Sequence, residues 1–457
     1  MNSGRIRTWK SLHGWPNAAL KALASMAIPA IISQLIALFY NVADTWFIGQ
    51  KDNPYMVAAV SLVATIFLMT AAVSNLFGAG GGALVVRLLG SRQEKEAGKV
   101  ASWCLVMAAG SSILFAVICL VLMNPVLRFL GASENTIGYA RQYLIIVVII
   151  GAFPTIMSNT MSYMLRNIGY SKEASFGLGM GGILNVILDP VFMFVLLPDG
   201  YEVVGAALAT LLSNFAALAY YICKYRKVQT TTILKIPHRL ETIQEESRKS
   251  VFSVGVPAAF SLILYDLTNM VINMLSASHG DLQLAAIGIV LKVERLPLNI
   301  GIGICMGMMP LIGYNYASKN FDRMKAFFKT SRFAAIAIAC ICVVLYRTFA
   351  AGIIGVFISD AKTVAYGTEF LRARCFSTPV MILSFHMVHF MQAVDRGKIS
   401  FYLAVIRQLC LNIPILFVLN YFFGMTGIIW TQVIADFMNT VISYIIYHKE
   451  MKNIIHT

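Results

Sequence analysis

Twelve long apolar runs dominate the chain, near residues 24–48, 57–86, 100–123, 142–165, 175–197, 203–223, 250–276, 284–315, 333–357, 370–394, 400–423 and 426–447. A run of about 20 apolar residues crosses a bilayer as a helix, because in lipid every backbone N–H and C=O must find its partner within the segment. The runs therefore predict an all-α integral membrane protein with twelve transmembrane helices. A β-barrel is disfavoured, since its strands alternate apolar and polar residues over about 10 positions. Composition agrees: charged residues make up 12% of the chain, against about 25% in a soluble domain. The net charge of +15 would suggest nucleic acid in a soluble protein. Here it is read as loop charge, and no nucleic-acid partner is expected.

An even number of spans puts both termini on one side of the membrane. Basic residues choose that side. They crowd the first tail (Arg5, Arg7, Lys10, Lys21), the loops around Arg87–Lys99, Arg166–Lys172, Lys319–Arg332 and Arg396–Lys398, and the tail at Lys449 and Lys452. The opposite loops "LPDGYE", "SASHGD" and "YFFGMTG" carry none. By the positive-inside rule both termini are cytoplasmic, and the expected location is a bacterial inner (plasma) membrane. The eight Cys lie mostly inside apolar runs and form no CxxC pattern, so they read as small buried apolar residues. The first run is long and lacks a small-residue cleavage pattern, so it is read as the first span rather than a signal peptide.

The one long polar segment divides the chain. It gives a cytoplasmic tail at 1–23, an N-lobe at 24–223, an inter-lobe loop at 224–249, a C-lobe at 250–447 and a second tail at 448–457. The lobes resemble each other: "SMAIPAIIS" at 25–33 matches "SVGVPAAFS" at 253–261, and "VAAV" at 57–60 matches "LAAI" at 284–287. Pro154 pairs with Pro379 and Pro190 with Pro414, all at spacings near 222–228 residues. Six spans per copy make this a parallel repeat with a pseudo-two-fold along the membrane normal, an arrangement that transporters use for alternating access.

Polar residues inside apolar spans are costly, which makes each a functional candidate. In span 1, Gln34, Asn41 and Asp44 form a polar stripe. In span 5, "NVILDPVFMF" places Asn185 one turn before Asp189. Pro190 follows, and its missing N–H leaves the Val186 carbonyl without a helical partner. Thr210 in span 6 adds a hydroxyl. Asp189, Asn185, Thr210 and a freed carbonyl are all oxygen ligands, as a hard cation such as Na⁺ requires. In the second lobe Asp266, Lys292, Glu294, Arg295, His386, His389, Arg407 and Asp436 are further polar positions. For Lys292, Glu294 and Arg295 mutual pairing competes with a cavity role. Arg166 and Arg407, near cytoplasmic ends, are expected to snorkel. "GAGGGA" at 78–83 suits close helix packing. No ATP-binding loop, zinc motif or nucleophile motif occurs, and no enzyme activity is expected.

Taken together, "IPAIISQLIALFYNVADTWFIG", "GGILNVILDPVFMF", "VGAALAT" and the duplicated proline near the start of span 7 resemble the multidrug and toxic compound extrusion (MATE) transporters over essentially the full length. The resemblance implies a V-shaped pair of six-helix lobes. It implies export of amphipathic, often cationic organic compounds in exchange for H⁺ or Na⁺, with no other cofactor and no partner beyond small-molecule substrates and membrane lipids. It casts Asp44 as a proton- or cation-binding carboxylate, Asp189 and Asn185 as an N-lobe cation pair, Thr210 as a third ligand and Asn159 as a fourth. Gln34, Asn41, Asp266, Lys292, Glu294, His386 and His389 are the substrate-cavity candidates, and a monomer is the expected working form. The competing reading within transporters is a lipid-linked oligosaccharide or lipid flippase. Such a protein would line its cavity with basic residues, whereas the N-lobe charges here are acidic apart from Arg166. An intramembrane prenyltransferase lacks the clustered acids that Mg²⁺-diphosphate chemistry needs.

Overall fold

A computed structural model of the chain describes residues 17–50, 53–237 and 241–456. The basic residues Arg5, Arg7, Lys10 and Arg239 lie outside the described residues. All regular structure among the described residues is helical. The first six α-helices are α1 (Asn17–Gly49), α2 (Pro54–Gly90), α3 (Glu94–Val121), the short α4 (Met123–Phe129), α5 (Ile137–Leu144) and α6 (Ala152–Asn167), with a π-helical turn, Ile145–Ile150, between the last two. Then come α7 (Ser171–Val191), α8 (Glu202–Val228), α9 (Glu245–Ala277), α10 (Asp281–Ala317) and α11 (Phe321–Gly355). α12 (Ala361–Arg374), α13 (Ser377–Ala393), α14 (Gly397–Val405) and α15 (Ile413–His456) complete the chain.

Among the described residues nine helices are long and apolar enough to cross a membrane, and a tenth crossing is the α5–α6 pair, bent by 44°. The difference from twelve has two local causes. The segment Gly397–Ile455 is a single run of 59 residues, about 89 Å at helical rise and far beyond one bilayer. It breaks at Gly424, whose φ of 56° and ψ of −136° leave the helical region. A Cβ on Gly427 would meet the Leu419 carbonyl, eight residues back, so the chain folds on itself there and two expected spans share one element. The expected span at 370–394 is divided instead into α12 and α13 around Cys375 and Phe376.

Two compact units form. Unit 1 takes residues 32–259, and unit 2 takes residues 260–457 with the segment ending at Ile31. Thus α1 and α9, the repeat-related helices that carry Pro29 and Pro257, each change unit partway along. The close contacts inside each unit repeat as well. In unit 1 a Cβ on Gly80 would meet the Val251 carbonyl and the Gly255 backbone. In unit 2 a Cβ on Gly307 would meet Ala27 at 2.6 Å, and one on Gly303 would meet Ile31 at 2.7 Å. Only glycine permits such helix contacts, and in lipid close van der Waals packing replaces the hydrophobic drive. The unit 1 core gathers Ile48, Val60, Leu144, Val148, Met193 and Ala206. The unit 2 core gathers Ile272, Val290, Tyr346, Leu371, Leu416 and Ile429.

Candidate functional site

The unit 1 site begins with the glycines of α7. Gly182 lies one turn before Asn185, and a Cβ there would fall 2.8 Å from Ile36 and 3.2 Å from Tyr40. The missing side chain lets α1 lie against the face of α7 that carries Asn185 and Asp189. Pro190 is accommodated inside α7, and a π-helical turn, Phe192–Leu196, follows it. The missing proline N–H itself loosens the turn before it, at the Val186 carbonyl. Gly205 of α8 packs on the π-helical turn, where a Cβ would fall 2.9 Å from the Phe192 carbonyl group. That contact brings Thr210 level with Asn185.

Asn185 Nδ2 donates to Asp189 Oδ1 and to Thr210 Oγ1, each at 3.2 Å. Asp189 is fully buried and Asn185 is 3% exposed. Asp189 Oδ2, Asn185 Oδ1 and Asp44 Oδ1 are buried without a hydrogen-bond partner. No Lys or Arg of the described residues pairs with either carboxylate. A cavity of about 120 Å³ lies beside them, lined by Tyr40, Asn41, Asp44, Ser61, Tyr143 and Thr210 among apolar residues of α1, α2 and α5. Thr210 belongs to both the cavity wall and the Asn185 network, so it joins Asp44 to Asp189. These donors are all oxygen, the set a proton or a hard monovalent cation would use. Among the described residues no group of three His, Cys, Asp or Glu could hold a metal ion, so the oxygen set relies on amide and hydroxyl groups.

Of the residues singled out in the sequence, Asp44, Asn41, Asn185, Asp189 and Thr210 come together. Gln34 and Asn159 are half-buried on α1 and α6 and do not line the cavity. Tyr40, Tyr143 and Ser61 are members that sequence reasoning missed. Their signal was weak, since aromatic and hydroxyl residues recur in many spans.

Unit 2 handles its acids differently. Glu294 is buried and accepts two bonds from Arg374, Nε and Nη2, both at 2.9 Å. Asp436 accepts from Arg407 Nε at 2.8 Å and from Gln432 Nε2 at 2.7 Å. Asn412 Nδ2 bridges Gln408 Oε1 and Gln432 Oε1, and Thr268 donates to Gln408 at 3.0 Å. Arg407 therefore does not snorkel: it is 4% exposed, held by Asp436 and by the Phe385 ring, 4.7 Å from its guanidinium carbon. Arg166 is also buried, 2% exposed, with the Tyr163 ring 6.0 Å away. Asp266 faces Arg295 at 3.7 Å. His386 is enclosed, with Ser331 Oγ 2.9 Å from Nε2, Cys305 Sγ 3.6 Å from Nδ1 and the Phe328 ring stacked at 5.0 Å. His389 Nδ1 donates to the Phe385 carbonyl of its own helix at 2.7 Å.

Two repeated helical units, one holding unneutralised carboxylates beside a cavity, define a multi-pass membrane transporter. The MatE family profile matches residues 29–191 and 257–418, each match opening on one of the repeat-related prolines. The chain belongs to the MatE family, whose members are transporters and not enzymes. It is 31% identical over 420 residues to the multidrug export protein MepA of Staphylococcus haemolyticus strain JCSC1435, covering 92% of this chain and 91% of that protein. Against MepA of Staphylococcus aureus strain MRSA252 it is 29% identical, covering 91% and 90%. A solved outward-facing multidrug resistance MATE transporter superposes with a TM-score of 0.90 at 22% identity, covering 96% of this chain and 97% of that one. An Asp-to-Asn variant of the Vibrio cholerae MATE transporter VcmN superposes with a TM-score of 0.90 at 19% identity, covering 96% and 99%. Both share this fold.

Proposed function

We infer that the protein is a secondary active multidrug exporter of the plasma membrane, moving amphipathic, often cationic organic compounds outward in exchange for H⁺ or Na⁺. The reading is supported by the MepA relatives, multidrug export proteins that align over nine-tenths of the chain. The coupling reading is carried by one contrast: Asp44 and Asp189 have no cationic partner, whereas each acid placed above in unit 2 has an arginine. Two carboxylates at one low-dielectric site are costly to hold charged without compensation. Uptake of a proton or Na⁺ from outside removes that cost. Asn185 and Thr210 supply neutral oxygens to a bound Na⁺, and the same atoms serve as hydrogen-bond partners for a protonated carboxyl.

The cation then leaves to the cytoplasm, and one charge moving inward gains about 2.3 kcal/mol per 100 mV. Only a cation that favours one conformation can drive the exchange. Pro29 inside α1 removes one helical hydrogen bond and so gives the segment bearing Asp44 a hinge. In unit 2 the polar groups offered to the exported compound are Asp266 and Lys292, while Asn41 lines the unit 1 cavity. The protein works as a monomer with both termini cytoplasmic. The test is efflux of a fluorescent organic cation from proteoliposomes under a Na⁺ gradient or a pH gradient imposed separately. One gradient should drive transport, and Asp44→Asn and Asp189→Asn should each abolish it. Intact gradient-driven efflux in both variants would sink the coupling site.

A further inference from the structure

The charges of α10 do not balance. Glu294 is buried and fully taken by Arg374. One turn of the same helix presents Lys292 and Arg295 outward, three residues apart and hence on one face. Arg295 has Asp266 of α9 at 3.7 Å, and these two side chains are 45% and 34% exposed. Lys292 has no ion-pair or hydrogen-bond partner among the described residues. Two cations thus face one acid, leaving one positive charge in excess.

The depth of that charge gives it meaning. The apolar run of α10 opens at Leu284, so Lys292 and Arg295 lie about 12 and 17 Å below its start at helical rise. A hydrocarbon core about 30 Å thick places them near its middle. Exposed charges at that depth would be expensive against lipid tails, so this face of unit 2 meets water. The matching stretch of the repeat, "ATIFLM" on α2, carries no charge, so the repeated fold does not require one here. Asn299 does not neutralise the patch, since its amide donates to the Arg295 carbonyl at 2.7 Å.

We propose that Lys292 and Arg295 form an anion subsite on unit 2 that binds the carboxylate of the exported compound, so that zwitterionic aromatic molecules are preferred over their purely cationic esters. The inference rests on the efflux reading given above. Arginine and lysine both bind carboxylates through charge-assisted hydrogen bonds, and the guanidinium can do so bidentately. An anionic lipid headgroup offers a related negative charge, but at the outer or inner rim of the bilayer rather than at this depth.

The probe pair is tetramethylrhodamine free acid and its methyl ester, in proteoliposomes of neutral lipid and in matched ones containing phosphatidylglycerol. The free acid should show a KM about 10-fold below that of the ester, the scale of one charge-assisted bond. Lys292→Gln should raise the acid's KM about 10-fold and leave the ester unchanged, while Lys292→Arg should retain the preference. The neutral pair Arg295→Gln with Asp266→Asn should also weaken the acid selectively. A Lys292→Gln effect equal for both dyes, or absent for the acid, overturns the subsite while ester transport by the wild type leaves the efflux reading standing. An effect confined to phosphatidylglycerol vesicles overturns it in favour of a lipid contact. Failure of the wild type to move either dye under either gradient would instead overturn the efflux reading. Each variant is checked for monodispersity before transport is measured.

Discussion

Two near-isosteric neutralisations of buried carboxylates should differ sharply in their effect on stability. Glu294→Gln removes the charge that holds Arg374 through two bonds of 2.9 Å, with the Arg374 side chain 2% exposed and that of Glu294 11% exposed. The arginine cannot shed its proton, so a buried guanidinium is left without an anion, at a cost of about 3–5 kcal/mol. Removing both charges in Glu294→Gln with Arg374→Met should recover most of that loss, because a well-packed neutral pair is often no worse than the ion pair. Asp189→Asn differs. Asn keeps an oxygen to accept from Asn185 Nδ2 and removes a carboxylate that no cation neutralises. Its unfolding free energy should rise, or stay within about 0.5 kcal/mol of wild type. The assay is reversible unfolding in mixed micelles with increasing SDS, at neutral pH and without added Na⁺. Should Asp189→Asn cost as much as Glu294→Gln, the carboxylate would be a structural partner of something fixed, and its role as an exchangeable site would be refuted. A Glu294→Gln cost below about 1 kcal/mol would refute the buried-pair reasoning.

Gly255→Ala should destabilise by about 1–3 kcal/mol in the same unfolding assay, because the new Cβ meets the backbone carbonyl of Leu76, which no rotamer change can relieve. Gly288→Ala, with open space around the new Cβ, is the control and should gain up to about 1 kcal/mol from helix propensity. At the start of α12, the Asp360 carboxylate accepts from the Thr363 hydroxyl at 2.7 Å and from the Thr363 N–H at 2.8 Å. The hydroxyl bond first, then the backbone bond, holds its pKa below the ordinary carboxylate value. The cap's contribution is therefore complete above that ordinary value and is lost as pH falls through the lowered one. Amide exchange of Thr363 should lose protection over that acidic range, and Asp360→Asn should remove the pH dependence.

Much of the unit 1 site was legible because its members obey local rules. Asn185 and Asp189 share a helix face by spacing, Pro190 marks the loosened turn beside them, and Asp44 stands out as an acid in an apolar span. Thr210 was legible as a hydroxyl in the next span, whereas only the family resemblance brought in Asn159, which does not line the cavity. Tyr40, Tyr143 and Ser61 were illegible for a different reason: they come from three separate helices, and their meeting is a tertiary fact with no spacing signature. Arg407 misled because distance along a helix says nothing of its partner. Its acid, Asp436, arrives from the other side of the Gly424 break. Arg374 carried no signal in the sequence, because its partner Glu294 lies 80 residues away on another helix.

The repeat sharpens what the charges mean. Both halves keep the same backbone devices: Pro29 with Pro257, Pro190 with Pro414, and the close contacts of Gly80 and of Gly307. Had the acids belonged to the shared framework, they would recur with those prolines and glycines, and they do not. Asp44 corresponds to Ile272 and Asp189 to Ile413 at the repeat spacings. In unit 2, Glu294 and Asp436 each carry a buried arginine as a fixed cation, and Asp266 has the half-exposed Arg295 at 3.7 Å. Binding a mobile cation there would first require displacing a guanidinium that cannot be deprotonated. In unit 1 the same uptake displaces nothing and removes an uncompensated charge. A device that exchanges cations between two sides of a membrane, as proposed above, needs that second kind of site, and the prolines and glycines shared by both halves do not supply it.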